Sequence, residues 1–273
     1  MENIGLAQWA LSKLPEDTQL APPIQPYPEK SAEGFVNLNL SPTYASNVEG
    51  FDAFRELVQN WIDQARALAG DAKLICKREE EETQSGNICA HYLVVESASG
   101  AYVCVGYIAE RALPDRRIVD ITNFNSAISQ DALILGHSEK ASGLPAAGCY
   151  GEGMKVEINR MISSKKAVSC YTNGQRWTFG YINNAGGKVN TLQVLIENGQ
   201  WAYWSHLTFE ITCPPPESDD WLITSNQFLF LEPTGLPDNT IFASNGETVE
   251  VLISPHTKGK IFAKGIFVKN EPE

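Results

Sequence analysis

Two short patterns in this 273-residue chain combine residue types that can act on a phosphorylated ligand. Glu56, Asn60 and Asp63 stand at i, i+4 and i+7, a spacing that places them on one side of a helix. A carboxylate there can take a proton from water, and an amide oxygen one turn later is a hard donor suited to a small divalent cation. The second pattern is Gly148-Cys149-Tyr150-Gly151-Glu152-Gly153-Met154-Lys155. Glycines before a helix let the backbone turn tightly and offer unhindered N–H groups at the helix start, a concavity that suits phosphate. Lys155 would add positive charge nearby or sit on the helix surface.

Between the two patterns runs a strand-like Ile118-Val119-Asp120-Ile121, leading into Thr122-Asn123-Phe124-Asn125-Ser126-Ala127. A short helical pattern (Ile128, Leu133, Leu135) follows, and then Gly136-His137-Ser138-Glu139-Lys140. In this order the chain resembles the Bergerat nucleotide-binding fold, the ATPase fold of gyrase, heat-shock chaperone, histidine kinase and mismatch-repair proteins (GHKL). The shared features are E-x-x-x-N-x-x-D on a first helix, a polar loop at a strand end, G-x-S-x-K, and G-x-x-G-x-G. By motif the resemblance spans residues 51–169, and by strand pattern it extends to about residue 270.

The resemblance implies that the chain binds ATP with Mg²⁺ and hydrolyses it slowly. Glu56 matches the general base and Asn60 the magnesium ligand, with Asp63 on the same side. Gly148, Gly151 and Gly153 match the box whose N–H groups hold the phosphates, with Tyr150, Met154 and Lys155 beside them. Lys140 falls where a lid begins. The adenine loop departs from the family's D-x-G-x-G, for no glycine lies between Gly106 and Gly136. Two registers are open. One places Asp120 on the adenine aspartate, with Thr122 and Phe124 in place of the glycines. The other, which is favoured, places Asn123 there, with Asn125 and Ala127 at the glycine positions. Asn123 would accept from the adenine amino group and donate to a ring nitrogen, while Asn125 tolerates the left-handed backbone that a glycine would supply. A second function stays open: a pseudo-ATPase scaffold or interaction module that binds nucleotide weakly or not at all.

The elements that must position these residues follow from periodicity. Apolar Phe51, Phe54, Leu57, Val58, Trp61, Ile62 and Leu68 predict a buried amphipathic helix over 51–68, and a second helix covers 156–162 after the glycine box. Alternation and turn residues predict strands at 73–78, 88–96, 102–108, 117–121, 168–171, 176–182, 192–197, 207–213, 249–253 and within 260–268. Residues 217–230 have room for a helix. The run Glu79–Glu82 reads as a solvated hairpin tip. The fold class is α+β: a mixed, mainly antiparallel sheet with helices on one face. The chain divides into a proline-bearing N-terminal arm (1–50), a GHKL-like ATP-binding domain (51–213), and a strand-rich extension (214–273) leading toward a further domain. The arm either lies across the domain or acts as a dimerisation or regulatory strap within a homodimer or larger assembly.

Composition narrows the partners. A formal net charge of −12 argues against broad binding to nucleic acid or to an anionic membrane. No apolar run approaches the ~20 residues that span a bilayer. The six cysteines include no C-x-x-C pair and read as reduced, which places the protein in cytoplasm or nucleus. Neither they nor the four histidines make a metal-ligand spacing. No Walker motif, G-x-G-x-x-G after a strand, or G-x-S-x-G elbow competes.

Overall fold

The computed structural model describes residues 6–21, 33–44, 52–84, 86–96, 100–134, 152–183, 190–199, 206–215, 221–224, 227–231, 239–244, 247–252, 260–263 and 266–270. Among the described residues ten strands form one sheet, eight of them where the alternating segments predict. They are β1 (Gln19–Leu20), β2 (Gly34–Asn37), β3 (Leu74–Thr83), β4 (Gly86–Glu96), β5 (Tyr102–Ala112), β6 (Arg117–Phe124), β7 (Ala167–Thr172), β8 (Gln175–Asn183), β9 (Asn190–Asn198) and β10 (His206–Cys213). The order is β2-β9-β8-β7-β10-β6-β5-β4-β3, and β1 pairs in parallel with β5 beyond the point where β6 ends. Every other described pairing is antiparallel. The chain is an α+β protein built on a mixed, mainly antiparallel sheet.

Among the described residues three α-helices accompany the sheet: α1 (Leu6–Ser12), α2 (Asp52–Ala69) and α3 (Glu152–Ser163). Alternation along a strand decides which face each covers. Leu93, Gly106 and Asn123 form one cross-strand row, and Trp61 of α2 lies over it. Its indole N–H donates to the Thr122 carbonyl at 3.0 Å. Tyr92, Tyr107, Thr122 and Thr208 form the neighbouring row on the opposite face. There the Tyr92 hydroxyl donates to the Ala10 carbonyl of α1 at 2.8 Å. So α2 and α3 share one face while α1 covers the other, which corrects the expectation of helices on one face only. Residues of the predicted arm thus contribute α1, β1 and β2 to the same layered body.

The acidic run also differs from its prediction. Glu79–Glu82 lies within β3, not at a hairpin tip, and pairs with residues 87–90 of β4. β3 ends the described sheet order, where charge discourages pairing with another chain. Glu81 also fastens α1 down, accepting from the Trp9 indole at 2.8 Å and pairing with Lys13 at 2.6 Å. Towards the C-terminus, residues 229–231 make only a 3₁₀ turn, and β11 (Asn239–Ser244) with β12 (Glu247–Leu252), and β13 (Lys260–Ala263) with β14 (Ile266–Asn270), form two hairpins.

Gly106 is what lets α2 sit so low. A Cβ there would lie 2.5 Å from the Thr122 carbonyl oxygen and 2.8 Å from the Trp61 indole nitrogen. Gly106→Ala should therefore cost about 1–3 kcal/mol through overpacking. Gly180→Ala, where a Cβ meets open space, should change little. Urea denaturation of the two variants checks this; equal midpoints would mean that α2 does not rest on Gly106.

Candidate functional site

Helix α2 exists because its apolar residues recur at helical spacing, and its polar residues then fall where the burial pattern leaves room. Phe54, Leu57, Val58, Trp61 and Ala65 are buried in the core. Glu56, Asn60 and Gln64 follow one another at four-residue steps along the adjoining flank; Glu56 is half-buried, and Asn60 and Gln64 are buried. That flank meets the first turn of α3. The Glu56 carboxylate oxygen Oε2 lies 3.1 Å from where a Cβ of Gly153 would stand. The helix motif and the end of the glycine box, remote in sequence, are in contact.

Glu157 stands one turn beyond Gly153 and enters the same neighbourhood, a residue that no motif singles out. It is buried, with Arg160 on its Oε1 and no partner on its Oε2. Burial pushes its carboxyl up to about 7, with repulsion from Glu56 adding to the shift against the pull of Arg160 and Arg55. The only signal in the sequence is its i+4 spacing from Gly153, which is common on any helix.

The remaining sequence candidates separate. Lys155 is fully buried (0 % exposed), so it does not lie on the helix surface; its Nζ donates to the Ile134 carbonyl at 2.5 Å and ties the segment before residue 135 to α3. Met154 is part of the hydrophobic core. Asp63 is half-buried and pairs with Arg66 at 3.6 Å on the same helix. Lys140, Gly148, Tyr150 and Gly151 lie outside the described residues.

The two registers of the loop after β6 are separated by the pleat of the sheet. Asn123 lies on the α2 face, and its amide nitrogen donates to the Trp61 carbonyl at 3.0 Å. Asp120 lies on the other face, in the row with Ala109 and Glu210, so it is not brought together with Glu56 and Asn60. Burial, reinforced by Glu210, pushes its carboxyl well above the usual range. Asn125, two residues beyond Asn123, has φ +53°, the left-handed conformation expected where a glycine is replaced. The Ser126 hydroxyl follows, buried and without a hydrogen-bond partner.

A second buried carboxyl stands within β5, on the α2 face of the sheet. Glu110 accepts from Arg117 at 3.1 Å and from the backbone N–H of Leu222 at 2.9 Å and Ile223 at 3.3 Å. It thereby anchors residues 221–223 on the sheet. Burial nevertheless pushes its carboxyl up to about 7. Cys89 and His91 of β4 approach to 3.8 Å. Burial pushes the thiol up to about 11 and the imidazole down to about 4, so both stay neutral and neither activates the other. Among the described residues, no group of three or more His, Cys, Asp or Glu could hold a metal ion by itself, the five cysteines are free and buried, and no helix is long and apolar enough to cross a membrane.

No family model matches the chain, and no curated protein matches it. The site is therefore argued from its own geometry.

Glu157 and Glu110 hold their protons more tightly folded than unfolded. Such groups contribute stability that is complete below about pH 4.5 and is lost as pH rises through about 7. The thermal midpoint should fall across that window, and Glu157→Gln should remove part of the fall while Glu110 keeps the rest. A wild-type midpoint that rises steadily from roughly pH 5 to roughly pH 7.5 would contradict both burial assignments.

Proposed function

We propose that this chain is a GHKL-type, Bergerat-fold domain that binds Mg-ATP, hydrolyses it slowly, and uses the associated closure to drive conformational change in a larger assembly. The observation that carries the reading is the contact between the Glu56–Asn60 flank of α2 and Gly153 at the start of α3. A glycine at that point gives a phosphorylated ligand close access to backbone N–H groups beside a carboxylate and an amide oxygen. The left-handed Asn125 adds support, since it fills a glycine position of the family's loop with a residue type that tolerates the same conformation.

The residues present fit a magnesium ion only in company. Asn60 is the side chain that would hold it, with remaining positions filled by phosphate oxygens and water, as suits an ion that dehydrates reluctantly. When bound, the ion would neutralise phosphate charge. Glu56 orients a water for in-line attack on the γ-phosphorus and takes its proton as the new P–O bond forms. The bond to the β–γ bridging oxygen breaks, and ADP and phosphate leave. Lys155 is tied to the Ile134 carbonyl and is not assigned a phosphate contact.

The alternative, a scaffold that has lost nucleotide binding, is favoured by one observation: the amide nitrogen of Asn123 faces Trp61, and the only nearby carboxylate on β6, Asp120, lies across the sheet. Millimolar Mg-ATP separates the two. It should raise the thermal midpoint by a few degrees, since ligand at about 100 times its Kd adds about 2.7 kcal/mol, and Asn60→Ala should abolish the magnesium-dependent part. An unchanged wild-type midpoint leaves the scaffold reading in place.

Chemistry is separated from binding at Glu56. Its carboxylate acts in the transition state, so Glu56→Ala and Glu56→Gln should keep ATP affinity within a few-fold yet lower phosphate release by roughly 10²–10⁴. Arg55→Ala should leave release within a few-fold. Turnover at the wild-type rate in both Glu56 variants would remove Glu56 from the mechanism.

A further inference from the structure

The face of the sheet turned away from α2 carries two carboxyls that the strand register sets against each other. β6 and β10 pair antiparallel with Asp120 directly opposite Glu210. Residues so opposed share a face with their Cβ atoms about 4.5–5.5 Å apart, and like charges there are destabilising. Asp120 is 4 % exposed and its Oδ1 has no hydrogen-bond partner, while Glu210 is half-buried. On its other side Asp120 is opposed by Ala109, whose side chain offers no polar atom. Charged and titratable groups reach the pair from each neighbouring strand. Arg111 of β5 pulls on Asp120, Arg176 of β8 pulls on Glu210, and Tyr171 of β7 feels both carboxyls. On the same face α1 carries no charged side chain. Burial outweighs the arginines and favours the neutral form of both carboxyls, most strongly at the deeper Asp120.

We propose that Asp120 and Glu210 share one proton, the Asp120 hydroxyl donating to the Glu210 carboxylate, and that this bond is a pH-sensitive clasp between the two halves of the sheet. Two carboxyls can bond to each other only through a proton. When the O–H bond breaks and the proton passes to water, its electron pair stays on Asp120 and the bond gives way to repulsion. Among the described strands, β6 and β10 are where the β3–β6 half meets the β7–β10 half. The next opposed pair on this face, the Thr122 and Thr208 hydroxyls at 3.0 Å, is neutral and holds at any ordinary pH. The seam therefore loosens on deprotonation without coming apart. β6 is also the strand whose Thr122 carbonyl and Asn123 amide hold Trp61, so the loosening reaches α2. The sign follows from linkage. Folding raises the proton affinity of the pair, so its contribution is complete below the ordinary carboxyl range and is lost as pH rises through its folded titration.

The experiment needs no ligand, so its outcome is independent of the nucleotide reading. Protein labelled at the aspartate carboxyl carbons is titrated by NMR, which keeps Glu110 and Glu157 out of the spectrum. Asp120, identified by the signal missing from Asp120→Asn, should stay protonated at roughly pH 6, above the range of ordinary aspartates. Glu210→Gln removes the competing charge and should lower its midpoint by about one unit or more. Amide exchange along β6 and β10 is then followed from about pH 6 to about pH 9, corrected for the intrinsic rate. Wild type should lose about tenfold more protection over that range than Asp120→Asn, whose amide N–H donates to Glu210 at every pH. Should Asp120→Asn fail to fold, Glu210→Gln and Glu210→Ala carry both measurements, since the side chain they alter is half-exposed. An Asp120 that titrates with the ordinary aspartates overturns the proposal. A raised midpoint that neither Glu210 variant moves overturns it too, for burial alone would then hold the proton. A coupled titration with no change in protection along β6 and β10 overturns the clasp.

Discussion

The seat of Trp61 over Gly106 is the constraint on which the site depends. The indole N–H reaches the Thr122 carbonyl at 3.0 Å, and Asn123 returns a bond to the Trp61 carbonyl at the same distance. Adjacent residues of one strand therefore grip side chain and backbone of one helical residue. This fixes α2 in height, rotation and position along its axis, since slipping by one residue would break both bonds and bring a different side chain against Gly106. The rotation decides which flank faces α3. Glu56, Asn60 and Gln64 lie there as a consequence of where Trp61 is held, so the chemistry of the flank is inherited from a packing contact.

The sheet is buried on both faces at its centre, and this governs how its charges behave. Residues Ile88–Val94 and Cys104–Glu110 are buried without alternation, which a strand shows when helices or other segments cover both sides. Polar side chains in such strands must be paired or neutral. Glu110 takes the first course with Arg117 and two backbone N–H groups; Asp120, facing Glu210 across the pleat, is pushed towards its neutral form. The aspartate before the polar loop is thus a buried group on the face away from Glu56 and Asn60. A one-residue difference in a strand reverses the side on which a side chain acts.

Much of the frame was legible because it rests on periodicity. The apolar repeat of Phe54, Leu57, Val58 and Trp61 predicts α2 to within a residue at each end, and the alternating segments predict eight strands of the large sheet. The four-residue strand β2, the two-residue strand β1 and the placement of α1 were not legible. Each is stabilised by a partner distant in sequence, as when Glu81 takes bonds from Trp9 and Lys13. The same partner, and the pairing with β4, override the solubility of four consecutive glutamates. Spacing nominates Glu56 and Asn60, whereas Glu157 and Gln64 carry no motif. Both bury polar atoms that lack a hydrogen-bond partner, Oε2 of Glu157 and the amide of Gln64, which only the packed chain reveals.

Gly153 bears on how a glycine box is to be read. Its place in G-x-x-G-x-G points to phosphate, yet a Cβ there would stand 3.1 Å from the Glu56 carboxylate, tighter than ordinary van der Waals contact. Packing of α3 against α2 is therefore already a reason for glycine at this position. The two reasons are not rivals, because the close approach that packing demands is also what leaves the carboxylate beside the start of α3. A larger residue would have to push Glu56 away or lift α3, and Glu157 one turn later would move with it. The carboxylates of Glu56 and Glu157 then lose their fixed separation, and with it the mutual repulsion that helps keep Glu157 protonated. Helix packing and the ionisation of Glu157 both pass through the absence of one methyl group.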